Sequence, residues 1–442
     1  MSARGQFSSR IGFVLAAAGS AVGLGNIWGF PTRVAENGGA AFILMYLILA
    51  FLLAYPVLMA ELIIGRAKRA NMVGALHQIT GNAFGSFVGS IGAITVILIL
   101  AFYSIVAGWM IAYVFDSLLS VFNVDVSWFT ADSISRNLMF MALFLILTCY
   151  VVIGGVSAGI ERWSVRLMPT LLMLMALLII YVSFQDGAVE GWKKLLIPDV
   201  SKVFQPTLML DAMGQAFFSM SLGVGTMLVY GSYVQKKENL PSLGASVALV
   251  DIGVAILAGM LMIPAMYVAL NNNVTIFSDS GALLSGPDLI FQVLPSLFSN
   301  IGFIGAFVAT IFFLLMVIAS LTSSISMLEV PVSFLVDNRG MKRPIATTML
   351  TVVVFLISAT IVLNFEQLFG LVIAITTKYS QPLLGLMLCI FAGWLWNRHQ
   401  ILEELKHGDP ETETTIFWRL WPWYIKFICP VFIASNFYLS IA

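Results

Sequence analysis

The chain has 442 residues, of which 60% are hydrophobic and 10% charged, and its mean hydropathy is +0.97. Soluble domains carry roughly 25% charged residues, so this composition excludes a soluble protein and is typical of an integral membrane protein. The formal net charge is zero at pH 7, which argues against a nucleic-acid partner. Cys149, Cys389 and Cys429 lie in apolar runs, and we interpret them as packing residues.

Long apolar runs separated by short polar breaks predict eleven membrane spans, because a helix needs roughly 20 apolar residues to cross a bilayer. We number them spans 1 to 11, over residues 11–35, 39–65, 87–121, 137–155, 166–185, 208–235, 243–270, 301–336, 344–364, 367–396 and 418–441. The basic N-terminus and the apolar run of span 1 together resemble a signal peptide. Because the run contains no clear cleavage site, we predict that span 1 is retained. No linker divides the chain, and we expect one all-α membrane domain over residues 1–442.

The distribution of basic residues predicts the orientation. With a cytoplasmic N-terminus, fifteen Lys and Arg residues fall on the inner side and only four fall on the outer side, namely Arg136, Lys193, Lys194 and Lys202. Because inner loops of membrane proteins are enriched in basic residues, we predict a cytoplasmic N-terminus and a periplasmic or extracellular C-terminus.

Spans 1 and 6 each contain a glycine-rich polar run, Gly19-Ser-Ala-Val-Gly-Leu-Gly-Asn26 and Ser219-Met-Ser-Leu-Gly-Val-Gly-Thr226. Glycine lowers helix stability by about 1 kcal/mol relative to alanine, so both runs are predicted to unwind within the membrane. The freed carbonyls can bind a cation, and the half-helix N-termini can bind a carboxylate. The glycines would also permit close helix packing, but paired interruptions at corresponding positions favour a transporter binding site.

Span 8 contains a cluster of hydroxyl residues, Ala319-Ser-Leu-Thr-Ser-Ser324, in an otherwise apolar helix. Hydroxyls can bond to their own helix, and they can also supply the oxygen ligands that a hard cation such as Na⁺ prefers. Span 7 contains Asp251, and a carboxylate at membrane depth is usually functional. We predict that Asp251 is a cation ligand.

These motifs resemble the neurotransmitter:sodium symporter family, especially its bacterial eleven-span amino-acid transporters. The resemblance rests on the runs from Gly19 to Trp28, from Gln215 to Gly223 and from Leu321 to Ile325, and on Phe30-Pro31 followed by Glu36-Asn-Gly-Gly39. It implies two inverted five-helix repeats, over about 5–185 and 208–396, an extra helix over about 418–441, and unwound helices 1 and 6. It also implies a transporter of the bacterial inner membrane and not an enzyme.

The resemblance implies two sodium sites and one substrate pocket. The first sodium site would use the carbonyl of Ala21 with Asn26, Ser219 and Asp251. The second would use the carbonyls of Gly19, Val22 and Ala319 with the hydroxyls of Thr322 and Ser323. The substrate pocket would be lined by Ser20, Leu24, Gly25, Ile99, Tyr103, Phe218, Ser221, Val224, Ser323 and Met327.

The same resemblance indicates the substrate class. Gly23 stands where family members that carry amines without a carboxylate place an aspartate, so we predict an amino acid that brings its own carboxylate. Ile99, Val224 and Met327 make the side-chain end apolar, which predicts a neutral, hydrophobic substrate.

Chloride dependence is predicted to be absent. Tyr46, Gln215 and Ser219 match three positions of the family's chloride site, but Ala255 stands where chloride users have a hydroxyl. Asp251, one turn away, is predicted to provide the negative charge instead.

Two gates are expected. Arg4 and Asp337 match the family's inner ion pair, although a solvated surface role is an alternative for both. At the outer side Gly29 replaces the usual arginine, and Gly370 or Ile373 occupies the region of the usual aspartate. Arg33 and Glu366 each lie about one turn farther out, and we predict a relocated outer gate between them.

Lys378 in span 10 has two interpretations, as part of the permeation path or as a side chain that extends to the membrane surface.

The sequence therefore predicts a sodium-coupled symporter that imports an amino acid by alternating access. A membrane amino-acid sensor of the same fold that binds without transporting is the alternative, because the usual outer gate is missing. The particular amino acid and the oligomeric state are not predicted.

Overall fold

The computed structural model describes residues 5–122, 127–203, 205–276, 289–299 and 303–441, with the side chains of Trp28, Val200, Ser296, Ser299, Ser440 and Ile441 left undescribed. These residues form helices and connecting turns, with no β-strand among them, and so confirm the predicted all-α fold class. Spans 2–5 and 7–10 are continuous helices at Ala40–Lys68, Ala83–Ser120, Ile134–Ile153, Val156–Ser183, Leu240–Asn271, Phe303–Arg339, Arg343–Leu363 and Phe365–Leu395. Each is long and apolar enough to cross a membrane.

Spans 1 and 6 are interrupted at the predicted glycine-rich runs. Span 1 consists of an inner half, Arg10–Ala21, and an outer half, Gly25–Glu36, which meet at an angle of 70°. Span 6 consists of an outer half, Pro206–Ser219, and an inner half, Thr226–Gly231. Here inner and outer denote the predicted cytoplasmic and external sides. Span 11 comprises Ile416–Trp423, Tyr424–Ile428 and Cys429–Ile441.

Eight continuous helices, or nine with the bent span 1, meet the requirements of a span within the described part of the chain. The predicted number of eleven therefore stays a prediction.

Short helices connect the spans. On the inner side these are Met72–Thr80 and Arg398–Lys406, and on the outer side they are Ala188–Leu196 and the pair Leu289–Val293 and Leu294–Ser299. Single 3₁₀ turns lie at Ser127–Phe129, Val200–Lys202 and Thr412–Thr414.

Spans 3 and 8 make the most extensive contact between helices in the described structure. The inner half of span 1 packs against spans 5, 7 and 8, and its outer half packs against span 7. The inner half of span 6 packs against spans 2 and 8. Both interruptions are therefore enclosed by protein, where unpaired backbone groups can find partners other than lipid.

The turn in span 6 depends on glycine and on a buried carboxylate. Ser221, Gly223 and Gly225 have φ angles of 51°, 90° and 79°, in the left-handed region that favours glycine. A side chain at Gly223 would also meet the carbonyl oxygen of Gln381 at 2.5 Å. Glu61 in span 2 is fully buried and accepts hydrogen bonds from the backbone N–H groups of Gly223 (2.7 Å) and Leu228 (3.1 Å). These contacts hold the interrupted helix in one conformation.

Candidate functional site

A cavity of about 160 Å³ lies between the two interruptions. It is lined by Ala21, Gly23, Leu24, Gly25, Asn26, Val96, Ile99, Phe102, Tyr103, Val106, Phe218, Ser221, Val224, Thr226, Ser323, Met327, Phe369, Ile373 and Gln381. The lining comes from spans 1, 3, 6, 8 and 10. A molecule in this cavity would therefore touch both broken helices and the helices around them.

Nine of the ten residues predicted to form the substrate pocket line this cavity. The exception is Ser20, whose hydroxyl donates a hydrogen bond to the hydroxyl of Ser326 at 2.6 Å. The backbone carbonyl of Ser20 accepts a hydrogen bond from the hydroxyl of Ser221 at 3.2 Å. Ser20 thus lies behind the cavity wall and orients a lining residue.

The polar end of the cavity presents the hydroxyl of Tyr103. This hydroxyl is buried and has no hydrogen-bond partner among the described residues. A Cβ atom at Gly23 would lie 3.1 Å from the Tyr103 hydroxyl and 2.9 Å from the hydroxyl of Ser323. The glycine therefore leaves space beside two hydroxyls, and a buried unpaired hydroxyl is costly unless a ligand supplies its partner.

The rest of the lining is mostly apolar and includes residues that the sequence reasoning missed. Val96, Phe102 and Val106 come from span 3, and Phe369 and Ile373 come from span 10. A hydrophobic residue in a membrane helix carries no signal that separates a cavity-facing position from a lipid-facing one. Only the packing of spans 3 and 10 against the interruptions identifies these side chains.

Three of the four residues of the first predicted sodium site are joined by hydrogen bonds, and the fourth, Ala21, lines the cavity. The Asn26 amide nitrogen donates to the hydroxyl of Ser219 (2.9 Å) and to the carboxylate of Asp251 (2.8 Å). The Ser219 hydroxyl also donates to Asp251 at 2.6 Å. The side-chain oxygen of Asn26 is buried without a hydrogen-bond partner in the described part of the protein. An unpartnered oxygen beside a buried carboxylate fits a hard cation.

The residues of the second predicted sodium site also lie together, where span 1 meets span 8. The hydroxyl of Ser323 donates to the carbonyls of Gly19 (3.2 Å) and Val22 (3.0 Å). The hydroxyl of Thr322 donates to the carbonyl of Ala319 at 2.9 Å. The Ser323 hydroxyl thus joins spans 1 and 8, and hydroxyl and carbonyl oxygens are ligands that suit Na⁺.

Two of the three residues that match the family's chloride site, Tyr46 and Ser219, belong to the hydrogen-bonded group around Asp251. The Tyr46 hydroxyl donates to the hydroxyl of Ser219 at 3.3 Å, and Ser219 in turn donates to Asp251. Gln215 instead donates to the backbone carbonyl of Gly25 at 3.2 Å. The buried carboxylate of Asp251 therefore places a negative charge next to Tyr46 and Ser219.

Of the predicted inner ion pair only Asp337 can be described, because Arg4 lies outside the described residues. Asp337 accepts hydrogen bonds from the backbone and side-chain amides of Asn71, each at 3.2 Å. Phe7 is buried and makes edge-to-face contacts with Phe13 and Tyr230. The N-terminal segment is therefore packed against the inner halves of spans 1 and 6.

The predicted outer ion pair between Arg33 and Glu366 is not formed in the described part of the chain. Within the described chain, Arg33 forms its ion pair with Asp211 and not with Glu366, which is exposed. Asn37 also donates to Asp211 at 3.1 Å. Arg33 lies on the outer half of span 1 and Asp211 on the outer half of span 6. Because these two half-helices are in contact, Asp211 lies close enough to pair with the guanidinium. This contact joins the two broken helices to each other and not to span 10.

Aromatic side chains stand near the region where the family's outer ion pair is expected. Phe369, next to Gly370, lines the cavity, and its ring lies 4.5 Å from that of Phe365 and 6.2 Å from that of Trp109. Phe102 contacts the same ring at 6.3 Å. Apolar packing therefore borders the outer side of the cavity.

Lys378 lies in the π-helical segment Ala374–Ser380 and is exposed. It is not among the described residues that line the cavity, although Ile373 and Gln381 on the same span are. This position favours the interpretation in which the side chain extends along the protein surface.

Comparisons with known proteins agree with these features. The sequence profile of the sodium:neurotransmitter symporter family matches residues 4–140 and 130–442. An uncharacterized sodium-dependent transporter of Bacillus subtilis (strain 168), YhdH, is 33% identical over 454 residues, covering 98% of this chain and 96% of that protein. The human sodium-dependent neutral amino acid transporter SLC6A17 is 26% identical over 296 residues, covering 59% of this chain and 40% of that protein.

The fold also matches a solved structure. The crystal structure of MhsT in complex with L-phenylalanine is 36% identical in sequence, with a TM-score of 0.84 and full coverage of both chains. The predicted resemblance is thus confirmed, and the chain is a membrane protein of a sodium-dependent transporter family, which is not an enzyme family. The chain belongs to the sodium:neurotransmitter symporter family.

Proposed function

We propose that this transporter carries a neutral, hydrophobic amino acid into the cell together with two sodium ions. The observation that carries the proposal is the cavity at the two interruptions, whose mostly apolar wall includes a hydroxyl and an amide oxygen that have no partner among the described residues. The amino acid's carboxylate would meet the Tyr103 hydroxyl and the backbone amides near Leu24 and Gly25. The side chain would lie against Ile99, Val224 and Met327.

The substrate class rests on the balance of polar and apolar lining. Within the described part of the cavity wall no Lys, Arg, Asp or Glu is present, so a charged substrate side chain would be buried without a counter-ion. The solved relative MhsT was crystallised with L-phenylalanine, which is an amino acid of this class.

Coupling would follow from shared contacts. A sodium ion held by Asn26 and Asp251 would lie beside the substrate carboxylate, because Asn26 also lines the cavity. Each would then raise the affinity for the other by the same factor. The second ion would join spans 1 and 8 through Gly19, Val22 and Ser323. Asp251 supplies the negative charge near Tyr46, so chloride is not required.

Movement would take the form of alternating access at a bacterial cytoplasmic membrane. The ion pair of Arg33 with Asp211 supports a motion in which the outer halves of spans 1 and 6 move as one unit. Access from outside would be closed by the aromatic residues around Phe369 and not by an ion pair. The N-terminus would lie in the cytoplasm, as the basic residues predict.

The test is uptake of radiolabelled L-leucine and L-phenylalanine into proteoliposomes under an inward sodium gradient, compared with potassium. We expect sodium-driven accumulation that is independent of chloride and is not inhibited by lysine or glutamate. Tyr103→Phe should weaken apparent affinity by about 10- to 100-fold, because it removes a hydrogen bond to a charged group.

Tyr113→Phe is the matched control. Tyr113 lies on the same helix, and its hydroxyl donates to the carbonyl of Phe291 at 3.3 Å, away from the cavity lining. Its substitution should leave uptake unchanged. Sodium-dependent binding without accumulation would instead identify a sensor, and a preference for lysine or glutamate would refute the proposed substrate class.

A further inference from the structure

A second cavity, of about 180 Å³, lies at the inner ends of spans 10 and 11. Its wall includes Trp396 at the end of span 10, Arg398 at the start of the short inner helix, and Trp418, Trp421, Trp423 and Lys426 of span 11. It shares no described lining residue with the amino-acid cavity. The two cavities are therefore separate sites, and the transport cycle as proposed does not use the second one.

This cavity lies at the level where the membrane is expected to end. Span 10 ends at Leu395 and span 11 begins at Ile416, so the cavity lies where two spans leave the membrane on the predicted cytoplasmic side. Trp423 is 61% exposed and Phe427 is 40% exposed, which makes the rim apolar on the side that faces lipid. Tryptophan is enriched at this level because its ring is apolar and its N–H is polar.

Two cations face this cavity without a carboxylate partner. Among the described residues, no carboxylate lies within ion-pair distance of Arg398 or Lys426, whereas the nearby Lys406 pairs with Glu413. The Arg398 guanidinium lies 5.1 Å from the ring centre of Trp418, and the Lys426 ammonium lies 4.4 Å from that of Trp394. Such contacts orient the cations but leave their N–H donors free for an oxygen acceptor.

We infer that this cavity binds the phosphate group of an anionic phospholipid from the cytoplasmic leaflet, through Arg398 and Lys426. The acyl chains would lie along the apolar rim formed by Trp423 and Phe427. Two cations in the wall of one cavity match a lipid headgroup with a net negative charge, and basic pockets between spans on this side of a membrane bind such headgroups. The rim favours a lipid over a free anion, because a free anion gains nothing from apolar surface.

The bound lipid would connect several elements. Trp421 donates a hydrogen bond from its indole N–H to the carbonyl of Pro56 in span 2 at 2.9 Å. The Lys68 ammonium, at the end of span 2, lies 4.9 Å from the ring centre of Trp396. An occupant of the cavity thus joins spans 10 and 11 next to span 2, so we expect it to stabilise the folded transporter.

The test is thermal unfolding and native mass spectrometry of the full-length transporter in detergent, titrated with phosphatidylglycerol, phosphatidylcholine, glycerol 3-phosphate or inorganic phosphate. We expect phosphatidylglycerol to raise the unfolding temperature and to remain bound, and the other three to do neither. The double variant Arg398→Gln/Lys426→Gln should bind phosphatidylglycerol about tenfold more weakly or worse, since each cation contributes to headgroup attraction.

Arg419→Gln is the matched control, because Arg419 is exposed on the same helix as Trp418 and does not line the cavity. It should bind the lipid as the wild type does. Sodium-dependent amino-acid binding should be retained in all variants, which shows that they are folded. Equal effects of phosphatidylcholine, of inorganic phosphate or of Arg419→Gln would overturn the proposal, and so would unchanged lipid binding by the double variant.

Discussion

Replacing Asp251 by asparagine tests the first sodium site directly. Asp251 is fully buried, and its carboxylate accepts hydrogen bonds from Asn26 at 2.8 Å and from Ser219 at 2.6 Å. Asparagine keeps nearly the same volume and an oxygen acceptor but removes the negative charge. The substitution therefore isolates the electrostatic contribution of the carboxylate to sodium binding.

The size of the effect follows from the geometry. The free oxygen of Asn26 belongs to the same amide group that contacts Asp251, so a cation held by Asn26 and Asp251 lies within roughly 5 Å of the centre of the carboxylate charge. At an effective dielectric constant of about 20, two unit charges at that separation attract each other by about 3 kcal/mol. Loss of this attraction lowers sodium affinity by roughly a hundredfold or more, since about 1.4 kcal/mol corresponds to a factor of ten.

The assay is a sodium titration of radiolabelled L-leucine binding to the purified transporter in detergent. We expect the sodium concentration at half-maximal binding to rise by roughly a hundredfold in Asp251→Asn. Asp116→Asn is the control, because Asp116 is a half-buried carboxylate on span 3 about 20 Å along the helix from Tyr103. An unchanged sodium midpoint in a folded Asp251→Asn protein would refute the reasoning.

Three further predictions concern the turn in span 6, the Arg33–Asp211 ion pair and the apolar lining of the cavity. Glu61→Gln should lower the free energy of unfolding by about 1–3 kcal/mol, because one backbone N–H of span 6 loses its buried acceptor; unchanged thermal unfolding would contradict this. Arg33→Asp and Asp211→Arg should each slow uptake, and the double reversal should restore it, while Glu366→Arg should have little effect; rescue of Arg33→Asp by Glu366→Arg would contradict the pairing. The stability cost of each Arg33 or Asp211 reversal should stay near 1 kcal/mol, since both side chains are about 40% exposed. Met327→Ala should shift competition for uptake towards larger aromatic amino acids by about tenfold, because it enlarges the apolar end of the cavity; an unchanged ranking would place Met327 away from the substrate.

The Arg33 pair shows where reasoning from sequence reached its limit. The helical spacing of Arg33 from Gly29 and of Glu366 from Gly370 is compatible with an ion pair between spans 1 and 10. The distance between those spans is not encoded in either spacing. Because the outer half of span 6 lies nearer, Asp211 forms the pair instead.

Local chemistry alone determined the class of the protein and the position of its interruptions. Twenty-residue apolar runs have few structures open to them in a bilayer other than a helix, and glycines beside small polar residues weaken such a helix where they occur. The oxygen-bearing residues of spans 1, 6, 7 and 8 stand out for the same reason, because polar side chains are costly in apolar surroundings unless they have a partner. These signals are local, and each can be read from a few neighbouring residues.

Only the tertiary structure decided which residues meet. Phe102 and Phe369 face the amino-acid cavity, Glu61 holds the backbone of span 6, and Arg398 and Lys426 face the second cavity. Each of these facts depends on how a helix is rotated and on which helix lies beside it. In a membrane, lipid and protein interior are similarly apolar, so hydrophobic residues carry little information about that rotation, and packing between distant parts of the chain determines it.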